Sequence, residues 1–521
     1  MADSSSYDDV PYDSVAYPQT QPDRLSVLAT LFALETTLPS RARVLDIGCA
    51  AGGNLIPLAQ RYPEARFTGL DLSRRQIDDG RRDVEALGLR NVELLERNLM
   101  DVDESLGRFD YIIAHGVFSW IPAPARRKLL DICRANLTAA GIAYVSYNTF
   151  PGWRLRGVVR DMMRYHAGPL TDPRQRTAQA RAMLEFLQTS LAKQTNAYAA
   201  VLREESRSIA AVADSYLLHE HLEEENEPVY FHQFFEQAAA AGLTYVCEEE
   251  LAGSAPEIIF APEIADTVRR VARDLVSIEQ YTDFLTNRSF RQSLLVSNER
   301  VPDRVIAPER VMDLFVASNA RPEAAKADLR SAAMEKYRTG SGGSVSLSQP
   351  ITKVALEILN ACWPETLAFD VLRARASAAL GRPAADAADA KALAGDLFSA
   401  FTVNAVALHR EPPPATSIVS QRPAGFAPAR HYASRGLKRL PNARHYTVDL
   451  EDFDLLLLRL LDGSRDIAAL VDVVVEQIRA GKLVLRMDAA VLADPAQLRK
   501  IVAGVVGKSL HGLKERAFLV G

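Results

Sequence analysis

An apolar run that ends on an acidic residue and then breaks into glycines is the strongest chemical signal in the chain. It reads Val44-Leu45-Asp46-Ile47-Gly48-Cys49-Ala50-Ala51-Gly52-Gly53-Asn54. Glycine lets a backbone approach a ligand closely and turn where a Cβ forbids it. A glycine turn at the carboxyl end of a first strand is where open α/β sheets bind ligands. The spacing Gly48-x-x-x-Gly52 is neither the dinucleotide fingerprint nor a phosphate-binding loop ending in GK[ST]. Taken alone, the turn reads equally as a ligand site or as a structural turn. Asp71 ends the next apolar run, Phe67-Thr68-Gly69-Leu70-Asp71. A carboxylate there suits two ribose hydroxyls; the competing reading is a helix N-cap, a role Ser73 also fits. After the third run comes Glu96-Arg97-Asn98-Leu99, where Asn98 offers polar atoms to an adenine edge and Leu99 an apolar face, or the stretch is a plain polar loop. His115-Gly116-Val117 ends the fourth run.

The elements that hold these residues alternate. Strand signals fall at Arg43–Asp46, Arg66–Asp71, Asn91–Leu95, Phe109–His115 and Ile142–Tyr147. Helical signals fall between them at Asn54–Arg61, Arg74–Leu87 and Ala125–Leu137, the last with Leu129, Leu130, Ile132, Cys133 and Leu137 at helical spacing. Gly141 is expected to stop that helix. Strands alternating with helices predict an α/β fold with a parallel sheet covered on both faces.

Four loops in this order and at these spacings resemble class I S-adenosylmethionine-dependent methyltransferases over about residues 40–150. The resemblance implies a Rossmann-like domain whose cofactor is S-adenosylmethionine. It assigns Asp46, Gly48, Cys49, Gly52 and Asn54 to the methionine part, Asp71 with Leu72 to the ribose, Asn98 and Leu99 to the adenine, and His115 and Gly116 to the side facing the methyl group. Asn98 stands where the family more often has Asp, which removes a charge and keeps an acceptor. Cys49 is read as a small space-filler rather than a nucleophile.

Further motifs narrow the group. Tyr7-Asp8, Pro11-Tyr12, Ser14 and Tyr17-Pro18-Gln19-Thr20 precede the first helix. Later come His115-Gly116-Val117-Phe118-Ser119-Trp120-Ile121-Pro122 and Ser146-Tyr147-Asn148-Thr149-Phe150-Pro151-Gly152-Trp153. His219-Glu220, Asn226-x-Pro228-Val229-Tyr230-Phe231 and Tyr281-x-Asp283-Phe284-x-x-Asn287-Arg288 follow. Together they resemble bacterial methyltransferases with a methyltransferase regulatory domain, a group that includes the protein-lysine methyltransferases acting on rickettsial outer-membrane protein B. The resemblance implies a lysine-bearing protein substrate, a middle domain, helical or winged-helix carboxyl-terminal units and a homodimer.

Methyl transfer from a sulfonium is an in-line displacement, and positioning alone can supply about 7–11 kcal/mol. A lysine acceptor must also be neutral, and with an ordinary pKa of about 10.4 fewer than roughly one in a thousand is so at pH 7. Tyr147, Asn148, Phe150 and Trp153 follow the fifth strand, so they are candidates to receive the acceptor, against plain packing of the aromatics. Aromatic faces attract an ammonium, and Asn148 has a carbonyl to orient an amine. His115 is a candidate base or a structural histidine. Tyr12 and Tyr17 are candidates for a lid over the cofactor, or an arm packed on the sheet. The stretch His219–Glu225 is expected to be a solvated acidic face, against a sharper reading in which it guides a basic, lysine-bearing substrate; a metal site is disfavoured, because i and i+2 do not share a helix face. The [Asn/Asp/Ser]-Pro-Pro-aromatic tetrad of nucleobase methylation does not occur, which disfavours a nucleic-acid substrate. The competing functions are a small-molecule N- or O-methyltransferase and a non-catalytic cofactor-binding regulator.

Composition agrees with packed globular domains and is too apolar for a mostly disordered chain. The 521 residues carry 61 Lys+Arg against 66 Asp+Glu, a net charge of −5, with 48% hydrophobic and 24% charged residues. A near-balanced charge argues against coating nucleic acid or an anionic membrane. Cys49, Cys133, Cys247 and Cys362 form no CxxC pair, which argues against a disulfide framework or structural zinc. The acidic, polar amino terminus lacks a signal-peptide pattern and no apolar run reaches membrane-span length, so a cytoplasmic location without membrane insertion is expected. The expected organisation is a cofactor-binding domain with its amino-terminal arm at 1–165 and a helical middle domain at 166–335. A winged-helix-like unit at 350–411 and a helical carboxyl-terminal unit at 426–521 follow. The Gly/Ser-rich stretch Arg338–Gln349 and the Pro-rich stretch Glu411–Gly425 are read as linkers.

Overall fold

The computed structural model describes residues 14–340, 342–383, 386–483 and 494–521. The motif residues Tyr7, Asp8, Pro11 and Tyr12, and with Tyr12 half of the expected lid, lie outside the described residues.

The alternating signals become β1 (Arg43–Ile47), β2 (Arg66–Asp71), β3 (Val92–Glu96), β4 (Phe109–Ala114) and β5 (Leu137–Asn148). The helices α1 (Pro22–Leu31), α2 (Leu55–Arg61), α3 (Arg74–Ala86) and α4 (Ala123–Ala135) precede or separate them. Two later strands, β6 (Leu243–Glu248) and β7 (Phe290–Ser297), complete one seven-stranded sheet of order β3-β2-β1-β4-β5-β7-β6. Pairing is parallel up to β5, and β7 runs antiparallel to both β5 and β6. The Rossmann-like expectation holds. The region expected as a helical middle domain, 166–335, also supplies β6 and β7 to this sheet: Val145 opposes Ser293 and Tyr147 opposes Arg291 across a regular β5–β7 ladder. Strands so far apart in sequence leave no short-range trace of their pairing.

Alternation along the strands sorts the core. Leu45, Ile47, Ile112, Val145 and Tyr147 face α4 and α8 (Phe231–Ala240), against Leu129, Leu130, Cys133 and Phe234. Val44, Tyr111, Ile113, Ile142 and Tyr144 belong to the cluster of Leu25, Leu28 and Leu58 on α1 and α2. Gly141 does not stop α4. The helix ends at Ala135, Asn136 anchors its side chain on the Asp103 and Gly107 carbonyls, and Gly141 lies inside β5. Pairing of Leu137 with Phe109 extends the strand backwards over the region read as a helix stop.

The middle of the chain is helical: α5 (Gly152–Ala167), α6 (Pro173–Leu191) and α7 (Ala197–Ala210) pack through Val159, Met163, Leu184, Leu187 and Leu202. Asn196 caps α7, its side chain accepting from the Ala199 amide. A four-residue turn, Asp214–Leu217, runs into a π-helical turn at Leu218–Leu222.

Described residues in both stretches read as linkers make regular pairings. Glu335–Arg338 and Ser344–Leu347 pair as a hairpin across the Gly/Ser-rich segment. In the Pro-rich segment Glu411 accepts from the Ser40 amide and hydroxyl, Ser417 bonds Glu365, and Ala424–Gly425 pairs with Leu519–Val520. Between these segments, Pro350–Ala361, Phe369–Leu380 and Ala387–Thr402 form three helices, and Ala407–His409 pairs with Phe315–Ala317 as a strand. Among the described residues no helix is long and apolar enough to cross a membrane.

Candidate active site

The strand order reverses at β1 and β4, which opens a crevice outside their carboxyl ends. The glycine loop enters it directly after β1. Gly48 adopts φ +78°, and a Cβ there would meet the Val117 side chain at 2.5 Å. The Gly48 and Cys49 amides both donate to the Leu70 carbonyl, which ties the loop to the end of β2. Asp71 finishes the tie, accepting from the Ala50 amide at 2.8 Å and the Ser73 amide at 2.9 Å. It is half-buried, so the carboxylate organises the loop and still reaches the rim. Ser73 realises the N-cap reading of this segment, capping α3 by accepting from the Gln76 amide. Leu72 is 60% exposed, Asn98 is exposed and Leu99 is half-buried. An acidic group flanked by open apolar and amide side chains at adjacent strand ends fits an adenosine. Asn98 also accepts from the Met100 amide, capping its own turn.

The end of the crevice beside the β1 loop and the β4 tip is closed by groups the sequence only partly announced. Asn54 is buried and works as a hub. Its Oδ1 accepts from the Tyr17 amide at 3.1 Å and from His445 Nε2 at 2.9 Å. Its Nδ2 donates to the Thr20 hydroxyl at 2.9 Å and to Asp46 at 3.3 Å. Burial pushes the Asp46 carboxyl up to about 7, against the Asn54 hydrogen bond that lowers it, and Asp71 adds to the rise. Asp46 therefore acts through Asn54 rather than from the rim. The amino-terminal arm is clamped by Ser14, whose hydroxyl accepts from the Gly53 amide at 2.8 Å. Gly53 is required there, because a Cβ would stand 2.3 Å from the Ser14 carbonyl oxygen. Cys49 packs on Gly69, and burial holds its thiol well above the ordinary range.

At the tip of β4, Gly116 is exposed and its amide donates to Ser146 Oγ at 2.8 Å. His115 lies 3.1 Å from the Tyr144 hydroxyl, which donates its proton to Gln292 at 2.6 Å. A hydroxyl with its one proton committed can only accept, so Nδ1 of His115 carries the hydrogen and Nε2 keeps its lone pair. Burial lowers this imidazole to about 4, so it stays neutral at physiological pH. Tyr17 lies against His115 with ring centroids 4.5 Å apart.

The acceptor candidates separate. Tyr147 is not at the rim: its ring stacks on Phe234 at 4.0 Å and its hydroxyl meets Ser293 in the core. The reason is strand alternation, which sends Ser146 to the crevice side and Tyr147 to the opposite face. Asn148 is buried, its amide nitrogen bonded to Asn226 Oδ1 at 3.0 Å and its backbone amide to Ser119. Trp153 opens α5, with Trp120, His221 and the Arg156 guanidinium around its ring. The segment expected to be a solvated acidic face is folded over these strand ends instead. His219 and His221 are each 3% exposed, and only Glu224 and Glu225 point to solvent. The Glu227 amide donates to the Ser119 carbonyl, and Val229 bridges Thr149. No group of His, Cys, Asp or Glu among the described residues is arranged to hold a metal ion.

Sequence profiles match the chain in three places: "Methyltransferase domain" at residues 44–141, "Predicted methyltransferase regulatory domain" at 213–297, and "PKMT, C-terminal winged helix domain" at 421–518. An uncharacterized protein of Rickettsia prowazekii, RP789, is 34% identical over 100% of this chain and 94% of its own length. A second from that organism, RP028, is 41% identical over 45% of this chain and 93% of its length. The solved structure of PKMT2 from Rickettsia typhi is 30% identical, with a TM-score of 0.87 over 98% of this chain and 100% of that one. The chain belongs to the PKMT family of S-adenosylmethionine-dependent methyltransferases. PKMT2 has also been solved in complex with AdoHcy, with the same coverage and TM-score.

In this PKMT-family chain the winged-helix region reaches the cofactor loop. His445 sits in a left-handed turn at φ +66°, is 2% exposed, and touches Asn54. Thr447 donates to the Ala16 carbonyl, and His431 and Arg435 both bond Asp83 on α3. Ser14 and Thr20 stood in the amino-terminal motif; His445 had no signal in the sequence, because its role exists only where distant segments meet.

Proposed function

We propose that this protein transfers methyl groups from S-adenosylmethionine to lysine side chains of a protein substrate. The observation that carries the reading is the full-length likeness to PKMT2, which extends through the middle and winged-helix regions rather than stopping at the cofactor domain. S-adenosylmethionine, when bound, supplies a methyl carbon activated by a sulfonium. The chain's own residues do the rest. Asp71 accepts from the ribose hydroxyls beside the apolar Leu72; Asn98 and Leu99 meet the adenine. The Gly48–Gly52 loop, Gly116 and Tyr17, held by Asn54, enclose the methionine part. His115 keeps a neutral nitrogen at the β4 tip, and Trp153 presents an aromatic face to the acceptor.

The proposal extends to an outer-membrane-type acceptor methylated in the cytoplasm, and to a homodimer. A reducing compartment suits the four free cysteines. The test is incubation of the purified protein with methyl-labelled S-adenosylmethionine and a denatured bacterial outer-membrane protein preparation, followed by mapping of modified residues. Lysines gaining 14 Da units are expected. Label confined to small metabolites would replace this reading with the small-molecule alternative, and cofactor binding with no label anywhere would make the protein a regulator. Light scattering tests the dimer.

A further inference from the structure

The π-helical turn Leu218–Leu222 lies among the groups around Trp153, and π-turns inside helices recur at functional sites. This one places Glu220 on a half-exposed position. Among the described residues the Glu220 carboxyl has neither a hydrogen-bond nor a salt-bridge partner, although most half-buried carboxylates find one. Its surroundings are aromatic. The Trp153 and His221 rings are 6.3 Å apart and near parallel, and the Tyr216 and His221 rings are also 6.3 Å apart. Tyr216 lies within electrostatic reach of Glu220 on one side and of Tyr17 on the other, and Tyr17 in turn covers His115 at the β4 tip. Rings thus stand at the β4 tip, with Tyr17 on His115, and beside the carboxylate, with Tyr216 and Trp153 about His221. Two further polar atoms there lack partners: Nδ1 of His221 and Nε1 of Trp153, each on a side chain at least 96% buried.

We propose that Glu220, walled by Trp153, His221 and Tyr216, receives the acceptor ammonium and removes its proton before methyl transfer. This rests on the reading that the acceptor is a lysine amine. The proton passes from nitrogen to the Glu220 carboxylate, and the freed lone pair forms the N–C bond. The C–S bond breaks with its electron pair going to sulfur, which leaves neutral S-adenosylhomocysteine, and the carboxylic acid returns its proton to solvent. The aromatic walls attract the incoming cation.

Proton affinity agrees with the geometry. Burial raises the Glu220 carboxyl to about 7, opposed by Arg156 and Arg160 on α5. Arg156 is itself shared with Glu205 on α7. A base works best when its pKa lies near the working pH. Neutral His221, lowered to about 3 by burial, and His115, lowered to about 4, are both poorer proton acceptors.

The test compares wild type with Glu220→Gln and Glu220→Asp, using the outer-membrane preparation above and a calorimetric titration with S-adenosylhomocysteine. Glu220→Gln is expected to lower the labelling rate about 100-fold or more, the range of a positioned base, with S-adenosylhomocysteine affinity unchanged. Glu220→Asp should recover part of the rate. The wild-type rate should rise through a limb near pH 7 that Glu220→Gln lacks. Above pH 7 the Gln variant should also melt higher than wild type, because it no longer holds a charge in that environment, and below pH 5 the two should converge. Wild-type labelling of lysine with an equally active Glu220→Gln overturns the inference alone. A lost rate accompanied by lost S-adenosylhomocysteine affinity overturns it too, since Glu220 would then act on the cofactor site. Absence of lysine labelling by wild type overturns this inference together with the proposed function.

Discussion

Asn54→Ala tests the architecture of the cofactor loop most directly. The side chain is 3% exposed and joins three separate stretches of chain. Its removal takes a buried hydrogen-bond partner from the Tyr17 amide, Nε2 of His445 and the Asp46 carboxyl. A buried polar group left unsatisfied costs about 1–3 kcal/mol. Water entering the vacated volume recovers part of this, so the expected loss is about 3–6 kcal/mol. The readout is urea unfolding of the full chain, paired with calorimetric titration of S-adenosylmethionine, whose affinity should fall as the Tyr17 arm and the loop separate. A double-mutant cycle with His445→Ala should show a coupling of about 1–2 kcal/mol, since the two residues share one buried bond. A loss below about 1 kcal/mol, or additive single variants, would refute the hub and with it the link between the winged-helix region and the cofactor loop.

Asp71→Ala should weaken S-adenosylmethionine about 10- to 150-fold by calorimetry, the worth of charged hydrogen bonds of about 1.5–3 kcal/mol; unchanged affinity would remove Asp71 from the ribose site. Arg291→Met should destabilise the sheet by about 3–5 kcal/mol in chemical unfolding, because Arg291 is 1% exposed and its loss leaves Glu248, Glu279 and Asp283 buried together. His445 is lowered by burial from 6.5 to about 3, so its contribution is complete above pH 6.5 and lost as the pH falls towards 3. At about 1.4 kcal/mol per pH unit, His445→Gln should gain about 2 kcal/mol on wild type between pH 7.5 and pH 5. Parallel unfolding curves at both pH values would contradict a buried neutral imidazole.

Local signals marked the candidate residues at the strand ends. Gly48, Asp71, Asn98 and Gly116 announced themselves because a glycine turn or a polar residue at a strand end is written in adjacent residues. The five parallel strands were legible for the same reason: each buries short apolar runs with a period that neighbours reveal. Tyr147 shows where such reading fails. Its neighbourhood in sequence is aromatic and close to the crevice, yet the two-residue period of β5 turns it into the core while Ser146 faces the Gly116 amide. Glu220 shows the converse. Its acidic surroundings looked like a solvated face, and packing of the segment over Ser119, Asn148 and Thr149 turned it inward.

Short-range pattern determined that this chain builds a parallel sheet with a glycine-rich turn after its first strand, because turn geometry and strand burial depend on residues a few positions apart. The tertiary structure alone decided that β6 and β7 finish the sheet, that His445 reaches Asn54, and that Glu220 stands unpartnered among rings. Those facts depend on hydrogen bonds and contacts between segments up to 391 positions apart. No local propensity encodes such contacts; they arise only when the whole chain minimises its exposed apolar surface and its unpaired polar groups at once.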